Sequence, residues 1–144
     1  MDFKGLNTYT VNQAIHLKCV EAKTFPEGIS EAHAQIRKLC DYNEAAIYYG
    51  ISHPDKNKGI IYMAGADEKY ISKPEKNTIS KIIPAGDYIY TDVNNYSENL
   101  LKIGQVFDRL THHPDIDPEG FCLEWYLPDT ICRCMIRLKP LNSY

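Results

Sequence analysis

Read for apolar and polar positions, the chain shows two passes through the same order of elements. The first ten residues are polar without a clear period, and Val11 to Thr24 then reads as extended, with the better alternation in HLKCVEAKTF. A strand is predicted near His16 to Thr24. Pro26 and Gly28 break it, after which Ile29, Ala32, His33, Ile36, Leu39 and Cys40 fall on one face at helical spacing. That period predicts a helix of about 13 residues. AAIYYGIS and GIIYMAGA, joined by the turn-rich HPDKNKG, read as a hairpin. The polar stretch DEKYISKPEKNTISK reads as a link between the halves.

The second pass opens with KIIPAGDYIYTDV, a strand interrupted by a kink where Pro84 removes an amide donor and Gly86 permits an unusual backbone angle. A helix is predicted from about Ser97 to Thr111, striped by Leu100, Ile103, Gly104, Phe107 and Leu110 and capped by Asn95 or Ser97. HHPDIDPEG ends it, GFCLEWYL gives a strand, Pro128 and Asp129 turn the chain, and TICRCMIRLK supplies the last strand. The order strand, helix, strand, strand therefore occurs twice, with negligible residue identity between the halves, and points to one α+β domain spanning 1–144.

Composition narrows the functions open to such a domain. Lys and Arg total 16 against 19 Asp and Glu, with no basic block, so phosphate neutralisation and direct nucleic-acid binding are not expected. No apolar run approaches the roughly 20 residues that span a bilayer, and MDFKGLNTYT lacks a signal-peptide core. A cytoplasmic protein is expected. Five cysteines at irregular spacing suit buried reduced thiols. Cys132 and Cys134 share a face without a second such pair, and His112 and His113 read as a helix cap, so no metal site is expected. No glycine-rich phosphate loop follows a strand, and no cofactor is implied.

The candidate chemistry lies in the strand Phe121 to Leu127. Alternation puts Cys122, Glu124 and Tyr126 on one side and Phe121, Leu123 and Trp125 on the other. A carboxylate in mid-strand among large apolar groups is unusual. It faces solvent on a sheet edge, pairs with Arg133 or Arg137 on the adjoining strand, or sits at the bottom of an aromatic cleft, where rings and charge attract a cationic or hydrogen-bond-donating ligand. The 11 tyrosines fit either strand composition or a pocket lining.

IPAGDYIY, LLKIGQVFDRL, GFCLEWY with its Glu-x-Tyr core, and CMIRLKP together resemble the gyrase-inhibitory-protein-like (GyrI-like) family, the effector-binding domains also fused to AraC-type and MerR-type regulators. The resemblance covers about His16 to Pro140. It implies duplicated β-α-β-β units forming an antiparallel sheet, two helices packed on one side, and a central cleft for small amphipathic, cationic or aromatic molecules. The family's acidic pocket residue falls on Glu124 and its aromatic partner on Tyr126. Trp125, Tyr48, Tyr49, Tyr62, Tyr90 and Phe107 complete the expected lining.

No residues remain beside this domain for a helix-turn-helix, so a stand-alone sensor or sequestering protein is the first expectation, with a small-molecule ligand and a protein partner or homodimer open. A hydrolase of electrophilic, cyclopropane-containing natural products, with Glu124 as general base, is the second, since desolvation raises a carboxylate's pKa toward neutrality. An inhibitor docking on a larger partner such as gyrase is the third.

Overall fold

The computed structural model of the protein describes residues 3–57, 59–73 and 76–140. Among these residues eight strands and two α-helices make an α+β protein, and every strand pairing described below is antiparallel. The chain divides into two units, one of Ala14–Ile83 and one joining Met1–Gln13 to Pro84–Tyr144.

The continuous unit contains β2 (Ile15–Glu21), α1 (Ile29–Leu39), β3 (Tyr48–Pro54), β4 (Ile60–Asp67) and β5 (Ile79–Ile83). Its strands lie in the order β3-β4-β2-β5. The predicted stripe on α1 is the face that packs. Ala32, Ile36, Leu39 and Cys40 meet Ala64 and Ala66 of β4, with Val20 and Tyr48 at the margin. Full burial of a side chain such as Ile36 contributes about 1.5–3 kcal/mol. The opposite face of this sheet is buried too, through Leu17, Cys19, Tyr49, Ile51, Met63 and Ile83. Gly65, opposite Cys19 in the ladder, keeps that face close, since a Cβ there would stand 2.7 Å from the Cys19 sulfur.

The discontinuous unit contains β1 (Asn7–Val11), β6 (Gly86–Asn94), α2 (Leu100–Thr111), β7 (Cys122–Leu127) and β8 (Ile131–Arg137), with strands in the order β1-β6-β8-β7. Phe107 and Leu110 of α2 pack on Ile89, Val93, Cys132, Cys134 and Ile136. Gly86 has φ +139°, in the region that favours glycine. Its bare Cα lets the Arg137 guanidinium come close, since a Cβ would meet Nε at 3.0 Å. Arg137 then donates to the Ala85 carbonyl from Nε and Nη2 and to Asp117 from Nη1, fastening the kink to β8.

Four expectations are corrected. The polar opening residues form β1, an added strand paired with β6. The strand expected to run through the kink is two strands: β5 pairs with β2, and β6 pairs with β1 and β8. The break between units therefore falls at Ile83 and Pro84, after the polar stretch expected to link the halves; Pro74 within that stretch lies outside the described residues. The second helix begins at Leu100, after a separate 3-10 turn at Tyr96–Glu98, and carries no side-chain N-cap. Asn95 adopts φ +49° and turns the chain ahead of it, while Leu100 faces solvent.

Candidate functional site

Register fixes which side chains of the discontinuous unit share a face, because directly opposed residues in antiparallel strands point the same way. Glu124 lies opposite Cys134 and Tyr126 opposite Cys132, while Trp125 lies opposite Arg133. The first set faces α2; the second faces away from it.

On the α2 side, the Tyr126 hydroxyl donates to Glu124 Oε1. The Tyr126 ring rests against Tyr96 of the 3-10 turn at a centroid distance of 5.1 Å and a tilt of 55°. Glu124 and Tyr126 are half-buried, so a carboxylate, a phenol and a second ring form one polar-aromatic cluster above the apolar core. Phe107, expected in the lining, is part of that core and packs with Leu110 and the β8 cysteines. The arginines that sequence offered as partners of Glu124 are engaged elsewhere: Arg133 with Asp92 and Arg137 with Asp117.

On the other face, Trp125 and Tyr90 stand with Tyr9, a residue that sequence reading missed because β1 was not foreseen. Trp125 and Tyr9 meet edge-on at 5.3 Å, and Tyr9 and Tyr90 at 6.5 Å. Arg133 lies over all three rings, closest to Tyr90 at 4.2 Å. The residues nominated together from sequence are thus split, with Glu124, Tyr126 and Phe107 on one face and Trp125 and Tyr90 on the other.

The nominated tyrosines of the continuous unit also divide. Tyr48 and Tyr62 face α1, and Tyr49 is buried on the opposite side. Tyr48 lies beneath the Arg37 guanidinium at 5.5 Å and shares a side-chain hydrogen bond with Cys40. Burial, then the Cys40 neighbour, raises its phenol pKa. Tyr62 shares a 2.8 Å hydrogen bond with His33 Nε2 and carries the Phe25 ring stacked on it at 6.1 Å. Burial, aided by the Arg37 charge, lowers the His33 pKa to about 4.

None of the five cysteines is joined in a disulfide, and all but Cys122 are buried. Burial pushes the Cys19 thiol up to about 12. A hydrogen bond with Cys134, then burial, raises the Cys132 thiol as well, so these thiols stay protonated and unreactive. Among the described residues no group of three or more His, Cys, Asp or Glu is placed to hold a metal, and no helix is long and apolar enough to cross a membrane. His112 caps α2 as expected, with its Nδ1 donating to the Asp108 carbonyl at 2.6 Å.

No family model and no curated protein matches the sequence. Solved structures do share the fold. An integron cassette protein from the mobile metagenome of Vibrio cholerae superposes with TM-score 0.67 at 12% identity, over 94% of this chain and 97% of that one. A Staphylococcus aureus protein described as a bacterial transcription regulation protein gives 0.62 at 11% identity, over 94% and 99%. A protein whose structure is bound to tetraphenylphosphonium gives 0.60 at 11% identity, over 99% and 96%.

Proposed function

We propose that this protein binds a small amphipathic, cationic or aromatic molecule at Glu124, with Tyr126 and Tyr96 supplying ring surface, and acts as a sensor or sequestering protein of the GyrI-like kind. The observation that carries the reading is the half-buried Glu124 carboxylate, oriented by the Tyr126 hydroxyl beside a second ring. A carboxylate of fixed geometry among aromatic rings attracts a delocalised cation through charge and ring faces together. The shared fold with a protein that holds tetraphenylphosphonium supports the same ligand class. Duplication of a β-α-β-β unit is supported by the matching orders β3-β4-β2-β5 and β7-β8-β6-β1, each with one helix.

Calorimetric titration of tetraphenylphosphonium into the parent and Glu124→Gln tests this reading. The variant keeps an acceptor for Tyr126 and loses the charge, so affinity is expected to fall about tenfold or more, the scale of an interaction with a charged group. Equal affinity in the two proteins would remove Glu124 from the site. Mass spectrometry of each mixture decides whether the ligand leaves unchanged, as a binder requires, or is converted, with Glu124 as general base.

A further inference from the structure

The face of the discontinuous unit turned away from α2 carries a second arrangement that the Glu124 cluster does not use. Tyr9 on β1, Tyr90 on β6 and Trp125 on β7 converge around the guanidinium of Arg133 on β8, whose Cζ lies 5.6, 4.2 and 5.7 Å from the three ring centroids. Asp92 closes the group, accepting from Arg133 Nε at 2.8 Å and Nη2 at 3.1 Å. Four strands thus each contribute to one site, and the ladder opposes Asp92 and Trp125 directly to Arg133.

Three rings around a cation, with a carboxylate beside it, is the composition that recognises quaternary ammonium and other onium ions. Here the cation belongs to the chain itself. We propose that Arg133 is the resident cation of an aromatic cage built by Tyr9, Tyr90 and Trp125, and that by filling it the protein withholds this face from external onium ligands. Arg133 is the specificity-determining residue of this arrangement.

An incoming onium ion would have to displace a tightly held occupant. Arg133 is only 18% exposed and held by a two-point ion pair, a geometry in which guanidinium outcompetes a point charge. Its hydrogen bond to Asp92 raises its pKa further, so the occupant keeps its charge at every working pH. A ligand must break both hydrogen bonds and all three ring contacts before it gains any of its own. Cations are therefore directed to the Glu124 side of the sheet, a consequence that rests on the function proposed above. Occupation of the cage by Arg133 stands independently of it.

The chain's single tryptophan is a wall of the cage, so its fluorescence reports occupancy directly. Tetramethylammonium is titrated at constant ionic strength into the parent and Arg133→Ala while Trp125 emission is followed. Arg133→Ala leaves the rings and Asp92 in place and is expected to bind at least about tenfold tighter than the parent. Adding Tyr90→Leu to it abolishes the gain. Adding Glu124→Gln leaves the gain intact, so failure of the Glu124 reading would not be mistaken for failure of this one.

Saturable binding by the parent as tight as by Arg133→Ala would overturn the proposal, as would a folded Arg133→Ala that gains nothing. Should Arg133→Ala not fold, Arg133→Gln, whose amide still donates to Asp92, takes its place, and the same two results in that variant would overturn the proposal.

Discussion

His33 makes the stability of this protein depend on pH in a way that can be isolated from its other titrating groups. It sits on the buried face of α1, hydrogen-bonded to Tyr62. Burial, with the Arg37 charge one turn on, lowers its pKa from 6.5 to about 4. The folded state therefore prefers the neutral ring, while the unfolded chain takes up the proton more readily. The stability this adds is fully present above pH 6.5 and is lost progressively as the pH falls from 6.5 toward 4. Linkage over that window makes the protein about 2 kcal/mol less stable at pH 5 than at pH 7 through this residue alone.

The assay is urea unfolding at pH 7 and pH 5 on the parent and His33→Gln, which can still bond Tyr62 and does not titrate. The variant is expected to lose about 2 kcal/mol less than the parent between the two pH values. Equal losses in both proteins would show instead that His33 takes up protons in the folded state as readily as in the unfolded one, and burial would not be controlling its charge.

Two further perturbations test the packing that supports the sites. Gly65→Ala forces a Cβ against the buried Cys19 sulfur and should destabilise by about 1–3 kcal/mol. Cys19→Ala in the same chain should restore part of that loss, as thermal melts of the parent and the two variants would show. Arg137→Met removes the clasp on Ala85 and leaves the Asp117 carboxylate, itself only 19% exposed, without this partner. It should cost about 3 kcal/mol in urea unfolding, and a loss below about 0.5 kcal/mol, the range of an ordinary surface change, would show that the clasp contributes nothing.

What sequence revealed of this fold follows from where burial is one-sided. The α1 stripe from Ala32 to Cys40 was legible because only one face of that helix is buried. Strand β7 was equally clear, and its alternation correctly parted Glu124 and Tyr126 from Trp125. β1 was not legible: Asn7, Thr8 and Thr10 are exposed and only Val11 is buried, so NTYTV carries almost no apolar signal, and its backbone pairing with β6 decides the conformation. β5 and β6 were fused because the apolar run continues across Ile82 and Ile83 into the kink, and nothing local reveals that the two take different partners. The Glu124 and Tyr126 pair could be nominated from one strand. The Arg133 cage could not, because its parts come from positions 9, 90, 92, 125 and 133 and meet only through register.

The discontinuous unit also sets an order of events on the ribosome. Every residue of Ala14–Ile83 is contiguous, so that unit is complete once Ile83 has been added. β1 emerges before that unit yet pairs with β6, whose Tyr90 lies opposite Asn7. β1 must therefore remain without this ladder through the synthesis of the whole intervening unit, which at translation rates of about 5–20 residues per second lasts several seconds. The polar surface of Asn7, Thr8 and Thr10 suits that wait, since an exposed apolar strand would be prone to pair with another nascent chain in the interval.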